Sequence, residues 1–368
     1  MGDDPNFTLP TDIAELTPAY LTTALKHGGH LANGQVSTVD ASPLGAGVGF
    51  VGQLARLGLT YKGDSGGLPD VMIAKFPIAD PMAKYLAQMF GFYRTEAECY
   101  RKAATVGLGV PTPAVYLSEV SDDDLGTLIL MEDLGASRVA DQIAGADLAD
   151  AEAVIDVGAQ LHAAWWESPR LTDLAWLRPL NNPAYMGIGD QYIQSWPVFA
   201  EMFAKAPPTA LEVGSQIGAQ LPLSYNWLMT NRPTTLTHTD FRLDNFFFGR
   251  RDAPVTVIDW QLTVRSVGAF DIGYFIVQSL TTDMRRQHGE ALLRRWHGAL
   301  VGAGVTDYSW DDAQADFHDS VMLQMSIPVI AAANLDPANE RGRQLLDCLG
   351  NRSCQALADY GCSSLRVG

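Results

Sequence analysis

The chain is short of cysteine, of lysine and of long apolar runs, and each shortage excludes something. Its 368 residues hold four cysteines, Cys99, Cys348, Cys354 and Cys362, with no Cys-x-x-Cys spacing. That is too few for a disulfide framework and offers no thiolate zinc site, so they read as free thiols in a reducing compartment. No stretch approaches the roughly 20 uninterrupted apolar residues of a membrane helix. The N-terminal MGDDPNFTLPTD has no apolar signal core. A cytoplasmic protein with no membrane association is therefore expected. Basic residues are in deficit, with 25 Lys+Arg against 42 Asp+Glu and a formal charge of −17. A field of that sign repels polyphosphate backbones, which argues against nucleic acid as a general partner. Lysine is confined to Lys26, Lys62, Lys75, Lys84, Lys102 and Lys205. A lysine inside an apolar strand therefore stands out.

What is present is ordinary for a globular chain, with 47% hydrophobic and 18% charged residues. The length predicts two units of roughly 100–200 residues each. The first hundred-odd residues read as strands with turns, then one helix. Val36–Leu44, Gln53–Tyr61 and Val71–Phe76 are strand candidates, and Met82–Ala104 has a helical pattern. Val115–Leu117 and Thr127–Met131 follow as strands, joined by an acidic turn. After Asp133 the character changes. Asp147–Trp166 is strongly helical, 170–235 mixes Pro, Trp and short helical runs, Asn245–Phe248 and Val255–Asp259 are short strands, and about 270–360 is helical again. Strands first and helices second predict an α+β chain with two lobes, 1–133 and 134–368, divided near Glu132–Gly135.

The densest chemistry lies between His238 and Asp271. It reads His238-Thr239-Asp240-Phe241-Arg242-Leu243-Asp244-Asn245, then Ile258-Asp259-Trp260, then Asp271-Ile272-Gly273. An Asn side-chain oxygen and a carboxylate from neighbouring strands suit Mg²⁺, which takes hard oxygen ligands. A second carboxylate, Asp240, can then face an acceptor hydroxyl. Asp and Asn are also common turn residues, and a lone His-x-Asp means little. The full string is far more specific.

This string resembles the aminoglycoside phosphotransferase and choline kinase superfamily, small-molecule relatives of protein kinases. Within it, the chain is most similar in look to the ecdysteroid-kinase-like group, over roughly residues 35–290. The resemblance implies a bilobal protein-kinase-like fold, with an antiparallel-sheet lobe followed by a larger helical lobe. It implies an enzyme that uses ATP and Mg²⁺. Asp240 would be the catalytic base, Asn245 and Asp259 the Mg²⁺ ligands, and His238 an orienter of the loop that Asp271 braces. Leu161-His162-Ala163 resembles a motif that precedes this loop in the superfamily, although a histidine on a packed helix reads equally well. Arg242 would neutralise γ-phosphate charge or be an ordinary surface arginine.

The N-terminal part should then hold the nucleotide. Gly47-x-Gly49-x-x-Gly52 lies between two strand candidates, where glycine lets backbone approach phosphate closely. A Rossmann reading would need a helix directly after it, and a strand pattern follows instead. Lys75 sits in an apolar strand, where an unpaired ammonium is costly. A carboxylate partner and nucleotide phosphates would remove that cost. Glu96 matches the partner, and Glu98 is the alternative. Leu128–Leu134 resembles the superfamily's hinge, with Met131 near the adenine ring and backbone around Glu132 reading it.

Trp260-Gln261 replaces the Phe-Gly of protein kinases, and the segment from Asp259 to Asp271 is too short for an activation segment. The first means that gating by that Phe need not apply; the second, with no Ala-Pro-Glu following, favours a small-molecule acceptor. For that acceptor two readings stand: an alcohol or hydroxyacyl metabolite in an apolar pocket, or an aminoglycoside or choline-like amine held by carboxylates such as Asp311, Asp312, Asp316 and Asp319. The apolar run Val321–Ile330 would line the first pocket or be helical core, and the acidic run would serve the second or be a solvated face. A regulatory, nucleotide-binding pseudokinase is the alternative of another class.

Overall fold

A computed structural model describes residues 7–44, 52–249, 254–335 and 338–368. The chain divides into two compact units. One comprises residues 1–137 with 258–262, and the other 138–257 with 263–368.

The first unit opens with helix α1 (Pro18–His27). Thr17 caps it by accepting from the Tyr20 N–H, and Pro18 occupies its first turn. Leu21, Ala24 and Leu25 are buried along one face. The expectation of strands before any helix overlooks α1, although this i, i+3, i+4 spacing is present in the sequence. Strands β1 (Gln35–Leu44), β2 (Gly52–Lys62) and β3 (Val71–Pro77) follow, then helices α2 (Pro81–Phe90) and α3 (Phe92–Thr105) and strands β4 (Val115–Val120) and β5 (Thr127–Glu132). They form one antiparallel sheet in the order β1-β2-β3-β5-β4. In β3 the pleat decides everything. Met72, Ala74 and Phe76 join the core with the α1 leucines and with Leu128 and Leu130. Ile73 and Lys75 point to the other face. The single helix expected over Met82–Ala104 is two. Gly91, at φ 73°, closes α2 in a left-handed cap and starts α3, a conformation that costs glycine nothing.

In the second unit, β6 (Arg138–Val139) pairs with β8 (Phe246–Phe248) and β8 with β9 (Val255–Val257), while β7 (Thr235–Thr237) pairs with β10 (Val264–Ser266). The helices are α4 (Leu148–Trp165), α5 (Arg170–Asp173), α6 (Pro183–Met186), α7 (Ile188–Met202), α8 (Pro208–Asn231), α9 (Ala269–Tyr274), α10 (Thr282–Gly302), α11 (Trp310–Leu323), α12 (Ser326–Asn334) and α13 (Glu340–Asp359), with a π-helical turn, Phe275–Ser279, directly after α9.

Short helical runs were expected over 170–235. The four-residue α5 and α6 are such runs, but α7 and α8 are 15 and 24 residues long and carry Pro197 and Pro222 inside them. Packing overrides the local breakers. The Trp196 ring lies directly on Gly214, and a Cβ at Gly189 would meet the Gly218 carbonyl at 2.7 Å. Glycine lets the two helices close, and that burial outweighs the proline cost. Among the described residues, no helix is long and apolar enough to cross a membrane.

Candidate active site

The first unit gathers three charges on the second face of its sheet. Lys75 Nζ donates to Glu96 Oε1 at 2.7 Å and to Asp259 Oδ1 at 2.9 Å. Glu96 comes from α3, and Asp259 from the distant stretch 258–262 that belongs to this unit. Of the two candidates on α3, Glu96 meets Lys75. Glu98 instead pairs with Arg101 at 2.7 Å. Burial alone would press the Lys75 ammonium down, but the Asp259 and Glu96 carboxylates hold it above its usual value. Two carboxylates share one ammonium, so the more buried one titrates late. Burial pushes Glu96 up to about 7, against the pull of Lys75.

Asp259 was expected to end its strand. It lies two residues beyond β9, at φ 63°, a left-handed conformation uncommon outside glycine. Its N–H donates to Tyr100 Oη at 3.4 Å. Trp260 behind it is fully buried.

Of the glycine trio, Gly47 and Gly49 lie outside the described residues. Gly52 opens β2, and a Cβ built on it would stand 3.1 Å from Lys75 Cε. The missing side chain leaves room for the lysine stem. On β5, Met131 is buried. The Glu132 N–H donates to the Ala114 carbonyl at 2.8 Å, and its Oε2 accepts from the Ala114 N–H at 3.0 Å. At Glu132, therefore, the N–H is committed within the sheet.

The second unit builds its site around Asp240, just past β7. Thr239 before it takes φ 58°. Asp240 Oδ1 accepts from Tyr274 Oη at 3.0 Å, and Oδ2 accepts from Asn245 Nδ2 at 2.9 Å. Asn245 Nδ2 also donates to the Asp240 carbonyl at 2.8 Å. Arg242 Nε stands 3.4 Å from Asp240 Oδ1, and its Nη1 3.7 Å from Asp244 Oδ2. Asn245 was expected to open a strand. It closes a 3₁₀ turn, Leu243–Asn245, and β8 begins one residue later. The turn is what brings the amide back onto Asp240.

Asp271, wholly buried on α9, braces the same loop. Its Oδ2 accepts from the His238 N–H at 2.8 Å and its Oδ1 from the Thr239 N–H at 2.8 Å. His162, on α4, lies 3.1 Å from Asp271 Oδ2 through Nε2, while its Nδ1 accepts from Trp296 Nε1 at 3.0 Å. A donor on Nδ1 fixes the tautomer, leaving the Nε2 proton for Asp271. His238 is also buried, and its Nδ1 accepts from the Asp240 N–H at 3.3 Å.

Asn245 and Asp259 offer the hard oxygen donors that Mg²⁺ takes. The Asn245 amide nitrogen is spent on Asp240, so the side-chain oxygen is the atom Asn245 would offer a cation. Asp259 keeps 24% side-chain exposure. Among the described residues no group of three or more His, Cys, Asp or Glu side chains could hold a metal.

Several residues that matter here escaped the sequence reading. Tyr274 and Tyr100 are two, Trp296 is another, and Gln142 is a fourth, since its Oε1 accepts from the Leu243 N–H at 2.8 Å. Only Tyr274 had a local signal, three residues after Asp271 on one helical face. Of the acidic run, Asp311 is exposed, as a solvated face would be, while the other three carboxylates are paired. Asp312 and Asp316 pair with Arg232, and Asp316 and Asp319 with Arg366. Val321–Met325 and Val329 are buried as core.

The α+β arrangement, with an antiparallel sheet ahead of a mainly helical part, recurs in solved kinase structures. The chain is similar to an ethanolamine kinase from Plasmodium vivax, with 10% identity and a TM-score of 0.54 over 91% of this chain and 87% of that one. It is also similar to the choline kinase LicA of Streptococcus pneumoniae, with 13% identity and a TM-score of 0.50 over 88% and 94%. At such identities the likeness is one of fold. No curated protein sequence matches the chain. Residues 46–304, most of the chain, match the ecdysteroid kinase-like family. With the kinase-like fold and this spacing of Lys75, Asp240, Asn245 and Asp259, that match is decisive: the chain belongs to the ecdysteroid kinase-like family.

Proposed function

We propose that this small-molecule kinase moves the γ-phosphoryl group of Mg²⁺–ATP to a hydroxyl of an alcohol or hydroxyacyl metabolite. The observation that carries the reading is Asp240, a carboxylate with both oxygens held by neutral donors at 2.9 and 3.0 Å. Phosphoryl transfer asks little covalent chemistry of the protein, so positioning and charge stabilisation are what a kinase must supply. In this reading Asp240 orients the acceptor hydroxyl and takes its proton. Asn245 and Asp259 would hold Mg²⁺, which would supply positive charge for the phosphate oxygens when bound. Lys75, steadied by Glu96, takes α/β-phosphate charge. Gly47, Gly49 and Gly52 cover the phosphates, while Met131 and the backbone near Glu132 flank adenine. Arg242 offsets γ-phosphate charge, and His238 and Asp271 keep the loop in shape.

An amine acceptor held by the acidic run is less favoured, because three of its four carboxylates, Asp312, Asp316 and Asp319, are paired with arginines, and only Asp311 is exposed. A pseudokinase reading is disfavoured by the presence of Lys75, Asp240, Asn245 and Asp259 together. Asp240→Asn should lower phosphotransfer at least about 10³-fold while Mg²⁺–ATP binding persists. The assay is an acceptor screen with Mg²⁺–ATP over small alcohols, hydroxyacyl esters, sterols, choline-like amines and aminoglycosides, read by product mass. Undiminished turnover in the variant would remove Asp240 as the base.

A further inference from the structure

Asp240 owes one of its two held oxygens to a residue with no assigned work. Tyr274 Oη donates to Oδ1 at 3.0 Å from the end of α9. The tyrosine is 3% exposed, and a buried phenol without a partner would be costly. Burial and the adjacent Asp240 carboxylate raise it well above its usual range, so the proton stays on the phenol and the group remains a donor. A phenylalanine would fill the same space. The hydroxyl is therefore a matter of Asp240, not of packing.

The helix that carries Tyr274 holds the loop at three successive points. Asp271 takes the His238 and Thr239 N–H groups. Tyr274, one turn on, takes the Asp240 side chain. Ser279, five residues further, accepts the Leu243 N–H at 3.1 Å. At about 100° per residue, an α-helix would swing a fifth residue some 140° away from Tyr274. The π turn Phe275–Ser279, with its i→i+5 pattern, brings it back. The rotation of α9 is itself fixed by close packing, since a Cβ at Gly273 would meet Ser320 Cβ at 2.5 Å. Backbone and side chain of the loop are thus clamped from one rigid strip.

We infer that Tyr274 is a positioning residue for phosphoryl transfer, setting the rotamer of the Asp240 carboxylate. The inference rests on the reading of Asp240 as the base.

The test compares wild type, Tyr274→Phe, Asp240→Asn and the double variant, following ADP release from Mg²⁺–ATP with water as acceptor. Loss of a hydrogen bond to a charged group predicts a fall in kcat of about 10- to 100-fold for Tyr274→Phe. The KM for ATP should stay within about two-fold, and Tyr274→Phe should add nothing in the Asp240→Asn background. A crystal structure of Tyr274→Phe should show the Asp240 carboxylate turned from its wild-type rotamer. An unchanged kcat, or an unmoved carboxylate, would overturn the inference. So would an unfolded Tyr274→Phe protein by circular dichroism, because the hydroxyl would then be a folding group. Undiminished ADP release in Asp240→Asn would instead break the underlying reading, which keeps the two failures distinct.

Discussion

Lys75 and Asp240 are placed by opposite means. Around Lys75 the work is done by charge: one ammonium is held between the Glu96 and Asp259 carboxylates. Around Asp240 it is done chiefly by neutral donors, a phenol and an amide on the carboxylate and two backbone N–H groups on the Asp271 beneath it. The difference follows from what each group must do in the proposed reaction. A phosphate-binding cation can rest on counter-ions that share it when nucleotide arrives. Arg242 stands 3.4 Å from Asp240 Oδ1, but the shorter contacts are neutral, and these fix the carboxylate's direction with less loss of basicity than a close ion pair would cost.

The neutral scaffold around Asp240 depends most on Asp271. It is fully buried and accepts from two main-chain N–H groups and faces His162. Asp271→Asn puts an N–H against donors, and should cost about 3–5 kcal/mol in urea unfolding together with most turnover. A cost below about 1 kcal/mol would mean that the loop is braced elsewhere.

The charged side is sharpened by Glu96. Its carboxyl titrates near 7 in the folded protein against an ordinary value of 4.5. Between those values the folded state binds the extra proton, so the nucleotide-free protein should lose stability as pH rises from about 4.5 to about 7, by on the order of a few kcal/mol. Glu96→Gln should flatten that slope. Parallel slopes for the two proteins, by urea midpoint against pH, would show that Glu96 is not the late-titrating group.

The smallest effect belongs to Gly52. A Cβ there forces the Lys75 stem to yield by a few tenths of an ångström. Gly52→Ala should raise the KM for ATP about two- to five-fold and leave the melting temperature nearly unchanged, with under about 1 kcal/mol at stake. A larger stability loss would mean that the strand, not the lysine, needs the glycine.

Lys75 was conspicuous before any partner was known, because an ammonium in an apolar strand of a lysine-poor chain demands one. The string from His238 to Asn245 was likewise legible, since it is contiguous. Glu96 and Glu98 were not separable. They sit two positions apart on one helix, about 200° around its axis, and only the packing of α3 on the sheet decides which faces Lys75. Helix α1 could have been found from Leu21, Ala24 and Leu25. The long helices α7 and α8 could not, because Pro197, Pro222 and their glycines read locally as breakers and become interface only when the two helices meet.

Composition and local order thus determined which chemistries this chain can carry. Its few thiols and lysines, its acidic balance and its contiguous motifs all belong to the covalent sequence and hold whatever the fold. The tertiary structure alone decided partnership. Asp259 meets Lys75 across 184 positions, Tyr274 meets Asp240 across 34, and Asp312, Asp316 and Asp319 of α11 are paired with Arg232 and Arg366. Such contacts depend on how helices and strands rotate and close on one another, and a linear pattern does not encode that beyond a few turns.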